Sequence, residues 1–248
     1  MHHKHIVAHQ KKNQNEDWKT SDVHEQYNEL QSFFWDLALN TWYELIDDNL
    51  TNKTILIVCA WNGYDANFWH NKWAIVTATD ISEEACEKIK ERNPHILTKV
   101  EDAEQLSYED DSFDYVIVRA GLHHLPRPFV GIYEMLRVAK VWILFMEAQD
   151  NFVTRFIRKM WWVETIEPSG NYVYTFSRRE VEKVCNSLFL PKPKIKSFFF
   201  HYIPFLHNKV FWKIHGKIWI SITKFLFNLG NFLIWKWGNN FVCFIKKD

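Results

Sequence analysis

TILIVCAWNGYDANFWHNKWAIVTATD, Thr54 to Asp80, reads as a buried strand, a tight turn, a short helix and a second strand ending in an acid. Such a run is half of a nucleotide-binding unit. Thr54 to Ala60 is continuously β-branched and apolar, which suits a central parallel strand covered on both faces. The chain turns at Asn62-Gly63, where small residues let backbone approach a ligand lying over the start of the next helix. Ala74 to Thr79 is the second strand. Asp80 stands at its tip, where one carboxylate can accept both hydroxyls of a ribose.

Further blocks follow in a fixed order. Asp80-Ile81-Ser82 opens a helix, with Ser82 as its N-cap and Glu83 and Glu84 in the first turn. That helix stops before Pro94, and Ile96 to Val100 is a third strand leading into Glu101-Asp102-Ala103-Glu104-Gln105-Leu106. SFDYVIVRAGLHHL, Ser112 to Leu125, supplies a fourth strand and the turn after it. Over roughly residues 50 to 150, these blocks together resemble the class I S-adenosylmethionine-dependent methyltransferases of the small-molecule, type 11-like kind.

The resemblance implies a Rossmann-like, seven-stranded, mostly parallel α/β sheet with an antiparallel last strand and helices on both faces. Strands at Val141–Met146, Ile195–Tyr202 and Asn240–Ile245 complete it, with a helical insertion at about 203–238. It also implies S-adenosylmethionine as cofactor. The donor turn would be Cys59, Ala60, Trp61, Gly63 and Asp65; Asp80 with Ile81 would take the ribose, and Asp102 with Ala103 the adenine. Ala120 to His124 would line the methyl donor. Methyl transfer from a sulfonium is an in-line displacement governed by alignment and exclusion of water. An alcohol acceptor must still lose a proton, and His123 and His124 are the candidate bases there, since imidazole titrates in the useful range. Of the two, His124 reads as the packing residue. Asp114, in the strand's FD start, reads as structural.

The family's acid-x-Gly-x-Gly-x-Gly run is broken. Its positions fall on Ile57, Cys59, Trp61 and Gly63, so only the last glycine survives, and Asp65 is the acid left to replace the missing one. There are 13 tryptophans and 7 glycines in 248 residues. Trp61, Trp73 and Trp142 stand where relatives usually carry glycine. UGA codons, which certain bacterial codes read as glycine, would leave this pattern if translated as tryptophan. An inactive methyltransferase-fold binding protein is therefore the alternative to an enzyme. A nicotinamide-dependent dehydrogenase is a distant third, because it leaves the Asp102 and His123 blocks unexplained.

Length allows one domain, placed at residues 21–248. Met1 to Lys19 lacks the apolar core of a signal peptide and is expected to form, with Thr20, a disordered arm, its histidines solvated. Ser21 to Asn49 has helical spacing. Cys59, Cys86, Cys185 and Cys243 lie far apart without metal-ligand spacing, so free thiols, a cytoplasmic location and no metal are expected.

Residues 1–182 carry 29 of the 30 acids, whereas 183–247 hold eleven lysines and no acid. Charge segregated in this way points the C-terminal part at something anionic. From Lys209, the residues Phe211, Ile214, Ile218, Ile222 and Phe225 share a helical face, and Lys209, Lys213, Lys217 and Lys224 the opposite one, with Trp212 and Trp219 on the flank. A second helix is expected from about Lys224 to Trp237. This pattern predicts contact with an anionic membrane surface through 209–237, peripheral at the inner face, and a small-molecule or lipid-linked acceptor. No nucleic-acid partner is expected.

Overall fold

The computed structural model describes residues 2–20, 29–46, 48–161, 166, 171–198 and 217–247. Its sheet comprises β1 (Thr54–Val58), β2 (Ile75–Asp80), β3 (Leu97–Val100), β4 (Phe113–Arg119), β5 (Ala139–Ala148), β6 (Lys194–Phe198) and β7 (Asn240–Lys246). The spatial order is β3-β2-β1-β4-β5-β7-β6. The first five strands run parallel, and β7 is antiparallel to both β5 and β6.

Alternate residues of β1 explain its unbroken apolar run. Ile55 and Ile57 join a core layer with Phe34, Trp42 and Trp69, while Leu56 and Val58 join another with Ile132, Met135 and Phe145. Each such side chain contributes about 1.5–3 kcal/mol by leaving water. The first layer lies under α2 (Glu29–Tyr43), α3 (Tyr64–His70) and α4 (Glu83–Arg92), and the second under α5 (Pro128–Val138) and α7 (Arg178–Ser187); α6 (Phe152–Trp161) lies between β5 and α7 in the chain. Because the helix after β1 and the helix after β4 leave to opposite faces, a crevice opens at the carboxyl ends of these two neighbouring strands.

Local signals act as their chemistry dictates. Ser82 Oγ accepts from the Ala85 N–H at 3.2 Å to start α4. Ser177 and Glu180 form a capping box at α7. Asp114 is structural, accepting from the Thr54 N–H and hydroxyl at 2.8 and 3.0 Å and tying the starts of β1 and β4 together.

Two expectations are corrected. Residues 2–20 are not a disordered arm but helix α1 (His2–Thr20). Its polarity is answered by polar partners: Lys11 and Lys19 pair with Glu83 and Glu84 of α4 at 2.7 and 3.0 Å, and Trp18 is buried. Among the described residues of the insertion before β7, α8 (Lys217–Ile234) runs unbroken through Lys224, where two helices were expected to meet, and a 3-10 turn follows at Trp235–Trp237. No proline interrupts it, and Gly230 within it costs only about 1 kcal/mol relative to alanine. The expected helical positions at 21–28 and 209–216, including Lys209, Phe211, Trp212, Lys213 and Ile214, lie outside the described residues.

Candidate active site

Backbone geometry at the end of β1 alternates. Cys59, Trp61 and Gly63 have φ of 52°, 49° and 75°. These are the three positions at which the resembling motif carries glycine, so the turn keeps the motif's backbone without its residues. For a residue with a Cβ, the left-handed conformation costs about 1–2 kcal/mol. The turn is fastened by the Ala60 N–H to the Thr79 carbonyl at 2.8 Å and the Gly63 N–H to the Ala60 carbonyl at 2.9 Å. A Cβ on Gly121 would lie 2.5 Å from that of Cys59, so the turns after β1 and β4 touch and the second needs its glycine.

Asp80 clips this turn to the tip of β2. Its Oδ2 accepts from the Trp61 N–H at 2.9 Å and its Oδ1 from the Ser82 N–H at 3.0 Å. Burial raises its pKa, and the N–H groups of Ser82, Trp61 and Ile81 oppose that rise. Asp102 uses Oδ1 for the Glu104 N–H at 2.9 Å, beside buried Ala103. The Cys59 thiol sits among these acids: burial lifts its pKa well above the usual range, and Asp80, Glu147 and Asp102 push it further.

After β4, Ala120 also adopts a positive φ, 49°, and the chain enters a short 3-10 turn, Leu122–His124. The fully buried Glu147, at the end of β5, bonds to the Leu122 N–H and to His123 Nδ1, each at 2.7 Å. His123 is thus fixed by a carboxylate. The His124 ring packs against it at a tilt, with centroids 4.2 Å apart, and the His124 carbonyl accepts from Gln10 of α1.

Residues 58–141, spanning the donor turn, Asp80, Asp102 and the His123 turn, match the methyltransferase domain family. That stretch is similar to a methyltransferase domain. A stretch of 68 residues is 43% identical to demethylmenaquinone methyltransferase of Staphylococcus haemolyticus, covering 26% of this chain and 28% of that protein, well under two thirds of its length. Among solved structures, a possible histamine N-methyltransferase from Thermotoga maritima aligns over 98% of this chain and 99% of its own, with a TM-score of 0.60 at 16% identity. Magnesium protoporphyrin IX methyltransferase from Synechocystis PCC 6803, with bound S-adenosylhomocysteine, aligns over 99% of both chains, with a TM-score of 0.61 at 12% identity. At these identities the likeness is one of fold.

Two groups beside these turns were not revealed by spacing alone. Arg119, the last residue of β4, donates Nε to both oxygens of Asp65 at 2.6 Å, and the Trp35 ring lies 3.7 Å from its guanidinium carbon. Asp65 is therefore paired rather than a lone acid. A cation closing an apolar strand, as Arg119 does after YVIV, is the signal that could have flagged it. Glu147 is the other group, legible as the acid ending β5 but not as the partner of His123. Asp65→Ala should strip Arg119 of its buried partner and cost about 3 kcal/mol of stability. Denaturant unfolding checks this, and a loss within about 0.5 kcal/mol, the range of ordinary surface changes, would show the pair to be solvated.

Helix α1 lies over this end of the sheet. Gln10 reaches the His124 carbonyl, Ser82 Oγ donates to Asn15 at 2.6 Å, and the Trp61 ring stands 6.3 Å from Trp18 and 6.5 Å from Trp35 of α2. The two helices thus screen the turn from water. Trp73, with φ 65°, is 78% exposed in the turn before β2. Trp142 differs: it is buried in β5, stacked on Tyr115 at 4.0 Å, and is absent from the left-handed positions. The glycine reading fits Trp61 and Trp73 and is overturned at Trp142, where packing fills the site.

Proposed function

We propose that this protein moves the methyl group of S-adenosylmethionine to a hydroxyl oxygen of a small or lipid-linked acceptor, with His123 as the base. The His123–Glu147 pair beside the donor turn carries the proposal. Bound S-adenosylmethionine supplies an electrophilic methyl on a sulfonium. Asp80, Asp102 and Glu147 gather negative charge where that cation would lie, and Asp65 stays balanced by Arg119.

In this reading, the turn Cys59–Gly63 cradles the donor, with Ala60 and Trp61 offering backbone, while Asp65, the acid expected to replace the one absent at Ile57, is held by Arg119. Asp80 takes the ribose hydroxyls with its remaining lone pairs, flanked by Ile81; Asp102 and Ala103 meet the adenine, and Ala120 lines the methyl end. Glu147 accepts a hydrogen bond from the Nδ1–H of His123, which keeps that proton and leaves Nε2 as the basic nitrogen, and Nε2 takes the acceptor's proton as the oxygen attacks. His124 packs. The demethylmenaquinone named for the bacterial relative favours a lipid-linked acceptor, and with it goes a peripheral place on an anionic membrane through 209–237.

Asp80→Ala should weaken cofactor binding by about 2–3 kcal/mol, the value of charge-assisted bonds to two hydroxyls. Because Asp80 also fastens the turn, about 1–2 kcal/mol of stability goes too. Calorimetry with S-adenosylhomocysteine on the folded variant reads the first effect, and unchanged affinity removes Asp80 from the site.

Activity is tested with tritium-labelled methyl donor and a bacterial lipid extract. Label entering the organic phase supports the enzyme. Trp61 at a glycine position favours the second reading, an inactive binding protein, and S-adenosylhomocysteine binding without any label transfer would establish that reading.

A further inference from the structure

The surface of α8 is inverted relative to a helix on a water-soluble protein. Trp219, Ile222, Phe225, Leu226, Phe232 and Leu233 are all exposed, between 41 and 79%, while Lys224, the charged residue within it, turns inward to Glu29 of α2 at 2.9 Å, Lys217 standing at its start. Of the expected lysine face, Lys224 is spent on the protein, Lys217 is exposed, and Lys209 and Lys213 lie outside the described residues. Exposed apolar patches of this extent are rare on soluble monomers and mark surfaces that meet something apolar. No helix among the described residues is long and apolar enough to cross a membrane.

We infer that the outward face of α8 docks in the plane of a lipid bilayer bearing anionic headgroups. The inward face is already taken, by Phe227 edge-on to Phe34 of α2 at 4.6 Å, so α8 lies along the protein and offers the bilayer one side only. Exposed Lys217 and Lys236 stand at its two ends, next to exposed Trp219 and Trp237. Cations and indole rings at the edges of an apolar face suit the boundary between headgroups and acyl chains. Charge selects the occupant. Exposed Lys217 and Lys236 flank this face and no acid occurs in α8 or the turn after it, so anionic lipid is attracted to it, whereas a second copy would bring like charges together.

The docking helix is one layer from the chemistry. Phe34, which Phe227 touches, precedes Trp35, which covers Arg119 at 3.7 Å. Docking therefore brings this side of the site to the lipid, where a lipid-linked acceptor resides. For that purpose the inference rests on the proposed function, whereas the docking itself rests on α8 alone.

Co-sedimentation of the full chain with phosphatidylglycerol–phosphatidylcholine vesicles and with pure phosphatidylcholine vesicles tests it, at low and high salt. The wild type should bind the mixed vesicles, and salt should weaken binding through screening of the lysines. Ile222→Ser with Phe225→Ser and Phe232→Ser alters only the outward face and should lower partitioning by about a hundredfold, as the loss of three inserted apolar side chains implies. Absent binding to mixed vesicles, equal binding by the triple variant, or a lipid-free dimer that the triple variant dissolves would each overturn the inference. Calorimetry with S-adenosylhomocysteine on the same preparations separates the two readings. Ligand binding without vesicle binding sinks the docking, and vesicle binding without ligand binding sinks the enzyme.

Discussion

His123→Ala is expected to lower kcat by about 10²–10⁴-fold while leaving affinity for S-adenosylhomocysteine unchanged, the usual loss when a positioned base is removed. The reason lies in how His123 is held. Glu147 is fully buried and bonds to both the Leu122 N–H and His123 Nδ1 at 2.7 Å, which fixes ring and tautomer together. Alanine would also leave a buried carboxylate short of a partner, so the variant is less stable. His123→Gln can keep a bond to Glu147 and separates the two effects: it should fold better than alanine yet be as slow. A His123→Gln enzyme within about threefold of the wild type would remove general-base catalysis at this position, since that loss is small against the usual 10²–10⁴.

Trp142→Gly should cost about 3–5 kcal/mol of stability or more, whereas Trp61→Gly should change stability by about 1 kcal/mol and strengthen cofactor binding. The contrast follows from where the backbone needs glycine. Trp142 is 2% exposed between Tyr115 and Phe244, with centroids 4.0 and 5.3 Å away, and its removal opens a cavity in the sheet core. Trp61, at φ 49°, gains backbone relief on becoming glycine and loses contacts with Trp18 and Trp35. One recovered backbone hydrogen bond to the donor would tighten binding by about tenfold. Thermal unfolding and calorimetry on the two variants read the contrast, and similar losses for both would contradict it. In the gene, UGG at codons 61 and 73 would remove the recoding explanation and leave two strained tryptophans as native residues.

Strand positions and the Ser82 cap were readable because they depend on local periodicity and on a cap whose partner is near in sequence, whereas the antiparallel last strand was legible only through the family resemblance. What was not readable depends on distant partners. The polar helix α1 offered no apolar stripe, and its seat on Glu83 and Glu84 joins residues about seventy positions apart. The Arg119–Asp65 and His123–Glu147 pairs likewise join separate elements, so each residue could be noticed but not matched. Trp142 misled for the opposite reason: similarity to a glycine-bearing motif spoke for a turn, while the chain passes from α5 directly into β5 and uses the ring as core.

Calorimetric titration of S-adenosylhomocysteine into the wild type and Trp61→Gly tests most directly whether the β1 turn, Asp80 and Asp102 form a cofactor site. The expected result is one-site binding that the glycine variant tightens. Two folded proteins that both give no heat of binding would contradict it.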